Sequence, residues 1–112
     1  MAYKKKVLYE TLRSIDSSTF TGAYQNIGTP LLHPASIVKF VNTSAVAVTI
    51  STDGINAMDI VPATSFALYD YTSNTPVGSV DGVFVAQNTQ YQILGTTSTG
   101  LVYLIVQYVV EV

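Results

Sequence analysis

The chain has 112 residues, of which 48% are hydrophobic and only 11% are charged, and its formal net charge at pH 7 is −2. This length fits one domain with a single core, and the negative balance gives no basis for binding nucleic acid through phosphate neutralisation. The absence of cysteine excludes disulfide scaffolds and thiolate metal sites. Because ordinary soluble domains are about 25% charged, we expect another chain to cover part of this surface, as in obligate oligomers.

The first residues predict an N-terminal arm or peripheral strand over residues 1–17. Lys4–Lys6 is interpreted as a solvated segment or charged edge, with a contact to an acidic neighbour or to packaged nucleic acid as the alternative. Val7–Ile15 alternates in character and is predicted to be a strand that a neighbouring subunit could share. Ser14–Ser18 is predicted to be a turn. No continuous apolar segment follows the lysines, so we expect no secretory signal.

The next stretch predicts strands separated by turn residues. A strand is expected at Thr19–Ile27, with Gly22 as a candidate bulge, and a loop with two prolines follows at Gly28–Pro34. Strands are then expected at Ser36–Asn42 and Ala45–Ser51. Because Asn-Thr-Ser suits a tight turn, these two strands are predicted to form a hairpin.

The second half of the chain predicts shorter strands and then a long final one. We expect a turn at Thr52–Asn56 and a short strand at Ala57–Val61. An alternating strand is expected at Ser65–Tyr71, and the longest polar connection follows at Thr72–Gly82. Two short strands and a flexible loop follow at Val83–Ala86, Tyr91–Leu94 and Gly95–Gly100. The final strand, Leu101–Val110, is too short to cross a bilayer as a helix, so no membrane span is predicted.

Both faces of the final strand are apolar. One face carries Val102, Leu104, Val106, Tyr108 and Val110, and the other carries Leu101, Tyr103, Ile105, Gln107 and Val109. A strand that is apolar on both sides faces the core on one side and another covering layer on the other. No helix is predicted to supply that layer, so we expect a second subunit there. The candidate subunit-interface residues are Leu101, Tyr103, Ile105, Val109 and Tyr9.

The spacing of these segments predicts the fold class. About eight short strands with turn residues between them and no convincing helix are typical of an all-β protein. We predict a single antiparallel β-sandwich or jelly-roll-like domain over residues 1–112.

No group of residues forms a recognisable reaction centre. The single histidine, His33, lies in a loop without a G-x-S-x-G motif in the chain, so a local hydrogen bond is favoured over catalysis. Asp53, Asp59, Asp70 and Asp81 could converge on calcium or on a sugar. Asp-Gly pairs at the first and last of these are better explained as turns. We therefore predict a protein that is not an enzyme, with no cofactor and no metal.

The eight tyrosines give an alternative function. Tyrosine has a large apolar body with a polar tip, and exposed aromatic rings can stack on sugars. A carbohydrate-binding or host-surface adhesion module would use Tyr24, Tyr69, Tyr71 and Tyr91 first. The simpler interpretation is that strand tyrosines pack against cross-strand neighbours.

Two stretches resemble the short β-sandwich virion proteins of tailed bacteriophages. They are VKFVNTSAVAVTISTDGINAMDIVPATSFALYDY and VAQNTQYQILGTTSTGLVYLIVQY, and the resemblance covers roughly residues 36–108. It implies a virion structural protein, made in the bacterial host cytoplasm, of the head–tail connector or collar, capsid-decoration or fibre-attachment type. The implied partners are other copies of the chain and neighbouring capsid, portal, connector, tail or fibre proteins. The resemblance carries over no functional residues.

Overall fold

The computed structural model describes residues 5–71 and 84–111, and these residues form nine β-strands. The strands are β1 (Lys5–Tyr9), β2 (Arg13–Asp16), β3 (Gln25–Asn26), β4 (Ile37–Asn42), β5 (Val48–Ser51), β6 (Asp59–Val61), β7 (Ser65–Asp70), β8 (Gln92–Leu94) and β9 (Leu101–Glu111). One 3-10 helix, Ser17–Thr19, follows β2. Within these ranges no helix is long and apolar enough to span a membrane. The predicted connection Thr72–Gly82 lies outside the described residues.

The strands form two antiparallel sheets. The five-stranded front sheet has the order β1-β9-β4-β7, and β2 also pairs with β9; the four-stranded back sheet has the order β3-β8-β5-β6. Without β1, the strand orders are β2-β9-β4-β7 in the front sheet and β3-β8-β5-β6 in the back sheet. The chain crosses repeatedly from one sheet to the other to give these orders. This is the jelly-roll arrangement. The predicted all-β sandwich is confirmed.

Strand β9 organises the front sheet. Its eleven residues pair with β4 along one edge, over residues 102–107. Along the other edge it pairs first with β2 and then with β1, so these two strands follow one another rather than lying side by side. The predicted strand Val7–Ile15 is therefore two strands, separated at residues 10–12.

The core lies between the sheets and follows the predicted alternation. Every second residue of β4 and β9 is buried on this side, as are facing residues of the back sheet. The buried hydrophobic strand residues are Val38, Phe40, Val48, Ile50, Val61, Ile93, Val102, Leu104 and Val106. Burying one such large apolar side chain contributes about 1.5–3 kcal/mol. Phe40 lies centrally, with its ring 5.2 Å from that of Tyr91 in an edge-to-face arrangement.

The predicted hairpin between Ser36–Asn42 and Ala45–Ser51 is wrong. Strand β4 pairs with β7 and β9, whereas β5 pairs with β6 and β8 in the other sheet. The side chain of Asn42 is buried at this crossing, where its Nδ2 donates to the carbonyls of Val46, Val61 and Pro62 at 2.8, 3.2 and 3.1 Å. The connection therefore bridges the end of the sandwich instead of folding β5 beside β4.

Three further segments differ from expectation. Thr19–Ile27 is mostly irregular, with only β3 as a strand, and Gly22 lies at φ 81° before that strand, so it is no bulge. Strand β2 extends to Asp16, and the predicted turn Ser14–Ser18 begins only there, where the Asp16 carboxylate accepts a hydrogen bond from the Ser18 N–H. In Val83–Ala86 the described residues contribute a single bridge, between Ala35 and Val85. Short-range hydrogen bonding explains the first two differences, because the bonds of Gln25 with Thr19 and Thr21, like that of Asp16 with Ser18, compete with strand pairing.

Candidate interaction surface

The outer surface of the front sheet, hereafter the front face, is mostly apolar. The strand register arranges its side chains in rows that run from β7 through β4 to β9. These rows are Phe66–Val41–Tyr103, Leu68–Lys39–Ile105 and Asp70–Ile37–Gln107. Tyr9 on β1 continues the third row, and the pair of Val109 and Val7 lies beyond it. Their neighbours along each strand point into the core, so these side chains point away from it.

The predicted interface residues all lie on the front face. Tyr103, Ile105 and Val109 alternate with the buried residues of β9, Leu101 begins the same series, and Tyr9 pairs with Gln107 from the neighbouring strand. Sequence alternation was sufficient to place residues of one strand on one face. It did not identify the residues that β4 and β7 add to the same surface, because strand order is not encoded in alternation.

The front face exposes large side chains. Phe66 is 63% exposed, Leu68 54%, Tyr9 65% and Val7 50%. An aromatic side chain offers about 150–250 Å², so Phe66 and Tyr9 together expose on the order of 250 Å². With the aliphatic neighbours the surface reaches the few hundred Å² at which apolar patches on soluble proteins mark interaction sites.

Charge on the front face is sparse. Among the side chains described there, Lys39 is the cation, and Asp70 on β7 and Asp16, which pairs with Leu101, are the anions. Lys39 lies in the middle row of the central strand, and its Nζ is 5.0 Å from the ring centroid of Phe66. A cation over a ring face is attracted by the ring quadrupole. This contact holds the ammonium against an apolar surface instead of extending it into solvent.

The predicted loop histidine belongs to a buried polar cluster. The Glu10 side chain is 1% exposed, and its carboxylate accepts hydrogen bonds from Arg13 Nη2, the His33 N–H and His33 Nδ1, each at 2.8 Å. Arg13 also donates to the carbonyls of Thr29 and Pro30 at 2.9 and 3.0 Å. The cluster fastens the loop Gly28–Pro34 to the connection between β1 and β2.

The electrostatics of this cluster favour the ionised carboxylate. Burial acts to raise the pKa of Glu10, but hydrogen bonds from His33, Arg13 and Leu32, together with the Arg13 charge, hold the pKa below its usual value. The Glu10 oxygens are occupied by donors that anchor the loop.

A groove of about 470 Å³ lies beside the cluster, lined by Thr11, Leu12, Arg13, Ser14, Gly28, Thr29 and Leu32. Leu12 and Leu32 are more than half exposed at its sides. Arg13 contributes to its lining while donating its hydrogen bonds to the Glu10 cluster. The groove therefore lies between the anchored loop and the segment that leads into β2.

The candidate aspartates Asp53 and Asp59 have separate hydrogen-bond partners. Asp53 accepts hydrogen bonds from the Ile55 and Asn56 N–H groups at 2.8 Å within its own turn, and Asp59 accepts one from the Tyr69 hydroxyl. Asp81 lies outside the described residues. Within residues 5–71 and 84–111, no three His, Cys, Asp or Glu side chains are grouped so that they could hold a metal ion.

The candidate sugar-binding tyrosines are not presented on a shared surface. Tyr91 is 2% exposed, and Tyr69 and Tyr71 pack against the core. Burial raises the pKa of all three hydroxyls, and the Asp59 hydrogen bond raises that of Tyr69 further. Tyr24 is half-buried in the irregular segment before β3. The carbohydrate hypothesis stays a prediction, without the exposed group of rings that it needs.

The fold and this surface define a jelly-roll β-sandwich with a broad, mostly apolar outer face on its front sheet. No protein-family model matches the chain. The search of curated proteins gave no match either. A solved structure from Bacillus endospore appendages, described as a novel family of disulfide-linked pili, is similar with a TM-score of 0.49 and 20% identity, covering 96% of this chain and 92% of that one. Similarity at this level says nothing about what the present chain binds.

Proposed function

We propose that this protein is a structural subunit that assembles with copies of itself through the front face, as a component of a tailed-phage virion. The observation that carries the proposal is the exposure of Phe66 and Leu68 on β7, with Phe66 continued across the sheet by Val41 and Tyr103. Buried against a second copy, this surface would form the kind of apolar interface found in obligate oligomers.

The composition supports the proposal independently. Only 12 of the 112 residues are charged, counting five basic and seven acidic ones. Four of the five basic residues lie within the first 13 positions, so Lys39 alone supplies basic charge to the rest of the chain. A subunit with so little charge gains solubility when neighbouring copies cover its apolar faces.

The virion placement rests on the resemblance of residues 36–108 to short β-sandwich virion proteins. Jelly rolls occur in viral capsid proteins and also in lectins, so the fold is compatible with this placement without requiring it. In a virion the front face would contact a second copy, and capsid, connector, tail or fibre proteins would be the further partners.

Light scattering behind a sizing column tests the assembly. The wild-type protein is expected to elute as a multimer of its 12.0 kDa chain, and Leu68→Lys is expected to reduce the mass because a charge in an apolar interface must be desolvated. Leu32→Lys is the matched control, since Leu32 is 61% exposed in the loop Gly28–Pro34, outside the strands of the front sheet. A wild-type monomer at high concentration would contradict the proposal.

The virion placement needs its own test. Particles purified from a lysed producing culture are probed with an antibody against the recombinant protein. The protein is expected to sediment with the particles and to survive a high-salt wash, because an apolar contact is little weakened by salt. Recovery only in the soluble fraction would contradict this placement while leaving self-assembly intact.

A further inference from the structure

The back sheet has an outer surface, hereafter the back face, that carries one largely apolar row beside a polar row, Ser51–Gln92–Asn26. Ile60, Thr49 and Leu94 form one row across β6, β5 and β8, and their strand neighbours Val48, Ile50, Val61 and Ile93 point into the core. Ile60 is 59% exposed, and Met58, two residues earlier, is 44% exposed. The subunit therefore carries exposed apolar surface on both outer sides of the sandwich.

We infer that the front face of one copy packs on the back face of the next, so that the subunits stack in one direction. This inference rests on the proposed self-assembly and adds which surfaces meet. Contact between unlike surfaces is heterologous, and it generates a ring or an open array instead of a closed dimer.

The position of Lys39 distinguishes this arrangement from a symmetric dimer. Lys39 lies in the middle row of the inner strand β4, so a two-fold front-to-front contact centred on this row would bring the two Lys39 ammonium groups close together. Like charges in a desolvated interface repel strongly. A front-to-back contact instead places each Lys39 against a different surface, where it meets no second copy of itself.

The charge of the back sheet complements Lys39. Its described strands contain no Lys or Arg, and their one charged residue is Asp59, which is exposed. Asp53 lies in the adjoining turn between β5 and β6, and its pKa is held below the usual range by hydrogen bonds from Asn56, Ile55 and Ser51. Asp53 therefore stays ionised at neutral pH and gives the rim of the back face a negative potential, whereas the Asp59 carboxylate points towards the front sheet and accepts a hydrogen bond from Tyr69.

The geometry of sandwiches gives the stack a defined spacing. Sheets that pack face to face lie about 10 Å apart. If the same spacing separates the sheets within a subunit and between subunits, each copy advances the stack by about 20 Å. This repeat can be measured in images of the assembly.

Two single variants and their mixture test the inference. Ile60→Lys blocks the back face and Leu68→Lys blocks the front face; both residues are more than half exposed, so the core is untouched. Each variant alone is expected to be a monomer by light scattering. An equimolar mixture is expected to form a species of twice 12.0 kDa, because the intact front face of one variant meets the intact back face of the other.

Other outcomes overturn the inference in distinguishable ways. If Ile60→Lys still assembles like the wild type while Leu68→Lys does not, the contact is front-to-front, and the proposed function survives without this inference. If the wild type is a monomer, both fail. Met58→Lys repeats the back-face test outside a strand, should Ile60→Lys lose its wild-type circular dichroism. Leu32→Lys is again the control and should assemble fully.

Discussion

The imidazole of His33 lies parallel to the phenol ring of Tyr108, with ring centroids 3.7 Å apart and planes 3° from each other. His33 also shares a hydrogen bond of 2.8 Å with the Glu10 carboxylate. Tyr108 pairs with Leu8 in the ribbon of β1 and β9, beyond the last residue of β9 that β4 pairs. An isolated two-stranded ribbon is only marginally stable. The His33 ring packs on the ribbon of β1 and β9, whereas the back sheet packs on the rest of the front sheet.

Replacing His33 with Ala should loosen this ribbon. The variant loses a stacked ring pair, worth about 1 kcal/mol. Amide hydrogen exchange is expected to accelerate in β1 while staying slow in β5. His33→Asn keeps a side-chain donor without a ring and separates the hydrogen bond from the stacking. Unchanged exchange in β1 for both variants would show that the stack does not hold the ribbon.

Glu10→Gln should destabilise the whole fold. The variant leaves the buried guanidinium of Arg13 without its charge partner, and breaking a buried pair in this way costs about 3–5 kcal/mol. Urea denaturation measures the loss. The double variant Glu10→Gln/Arg13→Met removes both charges and is expected to be less destabilised than the sum of the two single variants. Additive losses would mean that the two side chains act independently.

Gly28→Ala should cost more than Gly22→Ala. Both glycines have positive φ, 67° and 81°, where a side chain costs about 1–2 kcal/mol. A Cβ at Gly28 would lie 2.6 Å from Cγ of Arg13, whereas a Cβ at Gly22 would have no atom within 4 Å. Thermal unfolding compares them. Equal losses would show that Arg13 moves aside without weakening the polar cluster.

Asn42→Ala should destabilise the crossing between the sheets. The substitution removes three donated hydrogen bonds and the acceptor for the Ser44 N–H and hydroxyl. Each buried polar group left unpaired costs about 1–3 kcal/mol, so we expect a total loss of at least about 3 kcal/mol in urea denaturation. Thr43→Ala, at an exposed neighbour, is the control. A similar loss for both variants would contradict a special role for Asn42.

Acid should destabilise the protein, in part through Asp53. Hydrogen bonds from Asn56, Ile55 and Ser51 lower the pKa of Asp53 in the folded state. The folded protein then binds fewer protons than the unfolded chain, so this stabilisation is complete above the unfolded pKa of about 4 and is lost as the pH falls through the folded pKa. The difference in melting temperature between the wild type and Asp53→Asn should shrink at low pH. A constant difference would contradict this assignment.

The sequence by itself determined the faces of individual strands. The alternation in β9 and β7 was readable because successive side chains of a strand point to opposite sides. This local periodicity predicted the all-β class, placed Tyr103 and Ile105 on one surface and buried Val102 and Leu104 on the other. The Asp53 turn and the loop around His33 were also readable, because Asp, Gly and Pro act on their immediate neighbours.

Only the tertiary structure decided which strands are neighbours. Asn-Thr-Ser at residues 42–44 suggested a hairpin, but the hydrogen bonds of Asn42 to Val61 and Pro62, which lie 19 and 20 residues away, carry the chain into the other sheet. The Glu10 cluster likewise joins residues 22 and 23 positions apart. Pairings of this kind depend on the closure of long loops and on packing between sheets, and no periodicity within a short window records them.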